Sequence, residues 1–191
     1  MINSWSEFKN YVKCDKENQN VKNIIIAFFL KPIFRFTLLL RFNEYLINTK
    51  KSFFLRFIPL VWYKRLGIKL GFSIPFNVFQ PGLAIVHYGL LIVNPAARIG
   101  KNCRVHAGVN IGASAGFKTD TDTVSYAPTI GDNCYIGPGA KIFGPIEIGH
   151  NCVIGANAVV NKTFTKNEVT IAGIPATIIS NNGSKGKIHA I

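Results

Sequence analysis

The chain has no C-x-x-C pair, no apolar run of membrane-spanning length and few acidic residues, and each absence excludes something. Its four cysteines, Cys14, Cys103, Cys134 and Cys152, stand singly, which argues against a zinc or dithiol redox motif. The longest uncharged apolar stretch of the N-terminal part, residues 23–30, falls far short of the ~20 residues that a spanning helix needs. The opening MINSWSEFKNYVKCDKENQN is polar. It lacks the apolar segment and small-residue cleavage site of a secretory signal, so a cytoplasmic, reducing location is expected. Nine acidic residues face 22 basic ones, for a net charge of +13. No recognised nucleic-acid-binding motif accompanies that charge, so nucleic acid is not the expected partner.

What is present divides into two parts with different patterns. At 48% apolar, the 191 residues are globular rather than disordered in composition. Residues 1–75 hold 13 Lys/Arg and 4 Asp/Glu, so most of the basic excess lies in the N-terminal part. Over residues 21–70, apolar blocks alternate with single lysines and arginines. Pro32 and Pro59 are expected to break this stretch into short helices. Those helices face a core, form a subunit interface, or lie on a membrane surface with Phe and Leu in the lipid and the cations at the headgroups.

From Val93 an aliphatic recurs every sixth residue: Val93, Ile99, Val105 and Ile111, then Ile130, Ile136, Ile142, Ile148, Ile154 and Val160. Glycine mostly follows it, as in IGKNCR, IGDNCY and IGHNCV. Neither a helical nor a simple strand period produces this spacing, whereas a six-residue internal repeat is the signature of a β-solenoid. Three such units close one triangular coil. The aliphatics point inward, stacked coils supply the core, and glycine is expected wherever the chain must turn with positive φ. Cys103, Cys134 and Cys152 all occupy the small inward corner position, where free cysteine behaves as a buried apolar side chain.

The ladder breaks once. Nineteen residues separate Ile111 from Ile130, and the polar segment 116–128 is responsible. It either replaces a coil or bulges out of one, and it is expected to fold over a binding face.

One histidine stands in an apolar run, His87 in AIVHYGLLIVN. Counting back by six from Val93 lands on it, which in strict register points it inward. His106 takes the position normally held by glycine and follows His87 by 19 residues. The two imidazoles can meet only if the register slips locally. His150 reads as an ordinary outward polar residue. The histidine spacing does not offer a three-histidine zinc set, so no metal is expected.

The hexapeptides, the interrupting loop and the ending TIAGIPATIIS resemble the left-handed β-helix acyltransferases. Within these the likeness is to serine acetyltransferases and their relatives in polysaccharide gene clusters. The resemblance implies a mainly β fold, a left-handed parallel β-helix with an N-terminal α-helical segment, assembled as a homotrimer. It divides the chain into a helical, basic and apolar lobe (1–72), the β-helix with its extruded loop (73–165), and a C-terminal strand and tail (166–191). It implies acetyl-CoA as acyl donor and an acceptor hydroxyl. It makes His87 the general base, with His106 assisting, and puts Asn94, Asp120 and Tyr126 near the acceptor. Gly112, Ala113, Gly137, Ala140, Ala158, Lys162 and Gly173 then lie along the donor.

Against the serine acetyltransferase pattern, Val86 replaces an aspartate before the histidine. Ser73 or Asn77 stands where a second carboxylate would orient the imidazole. Tyr126 and Ala127 replace an arginine and a histidine. An amino-acid zwitterion would miss those charges, so a saccharide, lipid-linked or capsular, is the expected acceptor. Serine in cysteine biosynthesis is the alternative, and a non-catalytic scaffold is a third. The basic stretch 21–70 is expected to make any peripheral membrane contact, at the inner face.

Overall fold

The structure, a computed structural model, describes residues 1–113 and 126–185. Asp120, most of the loop 116–128 and His189 lie outside the described residues.

Four helices come first: α1 (Trp5–Asn18), α2 (Ile24–Leu30), α3 (Pro32–Asn48) and α4 (Phe53–Leu70). Each start has a local cause. Ser4 caps α1 by accepting a hydrogen bond from the Glu7 N–H, while Glu7 reaches back to the Asn3 N–H. The Asn23 side chain caps α2 by accepting from the N–H groups of Ile25 and Ile26, and Pro32 opens α3, where its missing N–H costs nothing.

Pro59 does not break the helical stretch as the sequence suggested, because it lies inside α4. The carbonyl that loses its helical partner is that of Leu55, which is exposed, so solvent can satisfy it. The break falls instead at residues 49–52, between α3 and α4.

Gly71 ends α4 in the left-handed conformation (φ +79°) and feeds the chain into the first strand. The rest winds into a three-faced, left-handed parallel β-helix. Face I stacks Phe72–Ser73, Leu91–Val93, Asn110–Gly112, Lys141–Phe143 and Val159–Val160. Face II stacks Arg98–Ile99, Thr129–Ile130 and Glu147–Ile148. Face III stacks Ala84–Ile85, Arg104–Val105, Tyr135–Ile136, Val153–Ile154 and Thr170–Gly173, and Ala176–Ser180 closes it by antiparallel pairing.

The six-residue ladder holds in this geometry. Val93, Ile111, Ile142 and Val160 stack inside face I, and Ile85, Val105, Ile136, Ile154 and Ile171 inside face III. All are at most 4% exposed. Cys103, Cys134 and Cys152 form their own buried stack, their thiols directed at carbonyls of the next coil, such as Gly131 and Gly149.

The glycines after the aliphatics have a different reason from the one expected. Positive φ at the turn from face II to face III is carried by Asn102, Asn133 and Asn151, whose amides bond one another up the coils at 3.1 and 3.0 Å. Asparagine tolerates that conformation. The glycines are needed for close coil stacking. A Cβ at Gly131 would lie 2.7 Å from the Gly149 backbone, and one at Gly137 would lie 2.8 Å from the Ile154 carbonyl.

The interruption replaces no coil, because Ile99 pairs directly with Ile130 and the register resumes across it.

A buried polar knot fastens the helices to the first coil. Arg41, fully buried, binds Asp15 (2.7 and 3.3 Å), Glu44 (3.0 Å) and the carbonyls of Phe79 and Gln80. Asp15 in turn accepts from the N–H groups of Gly82 and Leu83, and Glu44 from that of Asn77. Every charge in the knot is paired and hydrogen-bonded, as burial requires.

Candidate active site

Residues at the ends of the strands line the three edges of the prism, and the sequence candidates fall on two of them. His87, His106 and Gly137 follow face III strands at its edge with face I. Gly112 ends a face I strand at its edge with face II, Asn94, Ala113 and Lys162 follow such strands there, and Tyr126 precedes a face II strand at the same edge. No single-chain edge therefore gathers the whole set.

His87 does not point inward. The inward position of its coil is taken by Ile85, which pairs with Val105. Eight residues, not six, separate Ile85 from Val93, and the extra pair forms a bend over residues 87–89 that leaves His87 exposed. Gly89 permits this bend with φ +125°. The same lengthening supplies the register slip that lets the histidines meet. The His87 and His106 rings lie 6.0 Å apart, and His106 lies 4.8 Å from the Tyr135 ring.

His106 is only 8% exposed, and its Nε2 has no hydrogen-bond partner among the described residues. Burial lowers its pKa below the ordinary value, and the nearby His87 and Arg104 charges add to that. The pair is therefore held toward neutral imidazole at His106, the form that can exchange protons with a neighbour.

Two side chains escaped the sequence reading, Arg104 and Tyr135. They pair directly across adjacent coils, so the ladder register, once extended past the interruption, would have placed them beside His106. Arg104 is 5% exposed, and among the described residues its guanidinium bonds the Asn18 carbonyl, at 3.4 Å, with Nε unpartnered. No ion pair among the described residues includes it. It lines a cleft of about 350 Å³ between the helices and face III, together with Asn18, Lys31, Val86 and Tyr88. Val86 and Tyr88, the chain neighbours of His87, line this cleft, whereas the His87 side chain itself does not.

The remaining candidates are distributed as follows. Asn94 holds its own turn by accepting from the Ala96 N–H at 2.9 Å. Tyr126 packs against the coil core. Gly112 is pressed by the Phe143 ring, which would come within 2.6 Å of a Cβ. Lys162 is exposed with its ammonium 5.6 Å over the Phe164 ring. Gly173 is exposed at the tip of the final hairpin. Ala140 and Ala158 face the other way. Their side chains are fully buried in the coil interior, and their carbonyls accept from Asn110 and Lys141, so neither offers a surface to a ligand. His150 accepts from the Asp132 N–H at 2.9 Å on an exposed turn. Among the described residues no three His, Cys, Asp or Glu side chains cluster as a metal ion would require.

Comparison with known proteins fits this geometry. Residues 127–162 match the bacterial transferase hexapeptide (six repeats) family. A serine acetyltransferase of Mycobacterium tuberculosis is 36% identical over 107 residues, which is 55% of this chain and 43% of the relative. The chain therefore spans less than half the length of that relative. Two crystal structures share the fold. Neisseria gonorrhoeae serine acetyltransferase superposes with TM-score 0.71 at 23% identity, covering 93% of this chain and 68% of the other. Brucella abortus serine acetyltransferase in complex with coenzyme A gives 0.70 at 24%, covering 94% and 69%. The chain is a left-handed parallel β-helix whose residues 127–162 match the transferase hexapeptides, and it resembles serine acetyltransferases in its coil sequence and its fold.

Proposed function

We propose that the chain is an acetyl-CoA-dependent O-acetyltransferase with His87 as general base. The observation that carries this reading is the exposed imidazole at the edge of a serine acetyltransferase-like coil, beside a cleft and against a buried second histidine. A hydroxyl attacks a thioester only as its proton leaves. His87 takes that proton while the acceptor oxygen forms its bond to the acetyl carbon. The carbon–sulfur bond then breaks, and His87 returns the proton to the thiolate. Such a base is worth roughly 10²–10⁴ in rate. His106, buried and biased toward its neutral form, stands next to His87 with the ring centroids 6.0 Å apart.

The base on one edge of the prism and most of the substrate-side candidates on another support a homotrimer, in which the face I–II edge of one subunit meets the His87 edge of the next. Ala113, Lys162 and Gly173 are then the donor-side residues with surface to offer, and Asn94 and Tyr126 share the face I–II edge with Ala113 and Lys162.

For the acceptor, the relatives named above are called serine acetyltransferases, which favours the sequence alternative over a saccharide. Arg104 adds an independent reason to put serine first. A buried guanidinium with no carboxylate partner among the described residues suits a substrate carboxylate, and the chain neighbours of His87 line its cleft. A neutral sugar hydroxyl is the second reading, favoured by apolar Val86 in the wall next to His87.

The test is release of CoA thiol by the purified chain, with acetyl-CoA and either L-serine or a panel of sugars. Serine turnover with a KM raised at least tenfold in Arg104→Met supports the first acceptor. Turnover of a sugar alone, unaffected by Arg104→Met, supports the second. No thiol release above the uncatalysed rate with any acceptor, together with no CoA-dependent rise in melting temperature, overturns the enzyme reading.

A further inference from the structure

We propose that α2 and the first two turns of α4 form a docking face for an anionic lipid bilayer. The apolar side chains that a soluble core would bury are here on the outside. Ile25 is 71% exposed, Leu30 75% and Phe54 86%. In α4, Phe53, Phe54, Leu55, Phe57 and Ile58 are all exposed. At 3.6 residues per turn these positions run around more than half the helix circumference. The start of α4 therefore projects from the lobe instead of laying one stripe on it.

The two helices border one groove of about 430 Å³. Phe28 and Phe29 from α2 and Trp62 from α4 line it, and Arg35, Arg65 and Lys69 stand at it. An apolar slot with cations around it matches an acyl chain with a phosphate above it.

Charge selects the occupant. Exposed cations surround the apolar face: Lys31, Lys50, Lys51, Lys64, Arg65 and Lys69. Between residues 21 and 70 the one acidic residue is Glu44, which is buried and spent on Arg41. A second copy of this surface would set cations against cations, which association disfavours. An anionic bilayer neutralises them and takes the aromatics into its interface. None of these helices is long and apolar enough to cross a membrane, so the contact is peripheral. Leu30 and Lys31 also line the cleft next to His87, so a docked chain holds that cleft near the lipid surface. The docking face itself does not depend on the acetyltransferase reading.

The experiment is co-sedimentation of the full chain with vesicles, either of phosphatidylcholine alone or of phosphatidylcholine mixed with phosphatidylglycerol. The chain is expected to sediment with the mixed vesicles at low salt, to be released as salt rises, and to show a blue shift of tryptophan emission on binding. Lys64→Glu with Arg65→Glu should weaken partitioning by at least fivefold for each cation removed. Phe54→Ser with Phe57→Ser, both at exposed positions, should weaken it at least tenfold with an unchanged melting temperature. Failure to sediment with the mixed vesicles at low salt overturns the proposal. So does a serine double variant that binds vesicles as before. A fall in oligomeric state by light scattering in that variant, without any vesicle binding by the parent, would assign the face to subunit contact instead.

Discussion

Replacing Arg41 by methionine tests what joins the helical lobe to the β-helix. The side chains are of similar length, so the change removes charge and hydrogen bonds while leaving little cavity. The guanidinium makes contacts of 2.7, 3.3 and 3.0 Å to Asp15 and Glu44, and of 2.8 and 2.9 Å to the Phe79 and Gln80 carbonyls. All of these lie in the interior. Its loss strands two buried carboxylates close together, and breaking a buried pair in this way costs about 3–5 kcal/mol. The two carbonyls left without a donor add about 1–3 kcal/mol each. The backbone donors to Asp15 and Glu44 remain and offset part of this, so a net loss of about 4–6 kcal/mol is expected. That is a large share of the 5–15 kcal/mol typical of a domain. Urea unfolding of the parent and of Arg41→Met measures the loss. The triple variant Asp15→Asn, Arg41→Met, Glu44→Gln should recover most of it, since removing all the charges leaves none unpaired. A single variant that loses less than about 1 kcal/mol, or a triple variant no better than the single, would refute the reasoning.

Three further outcomes are expected. His87→Ala should lower kcat by about 10²-fold or more while the CoA-dependent rise in melting temperature persists, and a loss within tenfold would remove His87 from the base role. His106 has a pKa lowered by burial, so the unfolded chain binds its proton more readily than the folded one. Its contribution to stability is therefore complete above the ordinary histidine value near 6.5 and is lost as pH falls below that. Urea midpoints between pH 7.5 and 5 should fall less in His106→Leu than in the parent. Gly131→Ala, which would press a methyl to within 2.7–2.8 Å of the Gly149 and His150 backbone, should cost about 2–3 kcal/mol, measured as a lower urea midpoint at unchanged m-value.

The solenoid was legible in the sequence because its core is built from contacts that repeat. Each inward aliphatic meets the same residue type one coil away, so a local period of six carries the long-range packing. The buried cysteine stack followed for the same reason. The site was less legible because it depends on departures from the period. His87 turns outward through a two-residue lengthening at residues 87–89, and a count by six cannot register that. Arg104 and Tyr135 become neighbours only when the residues that interrupt the repeat are discounted. The glycines were visible, but their reason was not: asparagines supply the positive φ, and stacked backbones require the missing Cβ.

The helical lobe lies at the other extreme. Composition alone determined that residues 21–70 are apolar, basic and helical. It could not say which bulky side chains stay outside, since that depends on how α2, α3 and α4 cover one another. Nor could it show Arg41 joined to Asp15, Glu44 and the first coil, groups far apart in the chain and brought together only by burial. Sequence by itself determined the coil, because a repeating core is written locally. Tertiary structure alone decided the orientation of His87, the partners of Arg41 and the exposed face of the lobe, because each rests on a single non-repeating contact between distant segments.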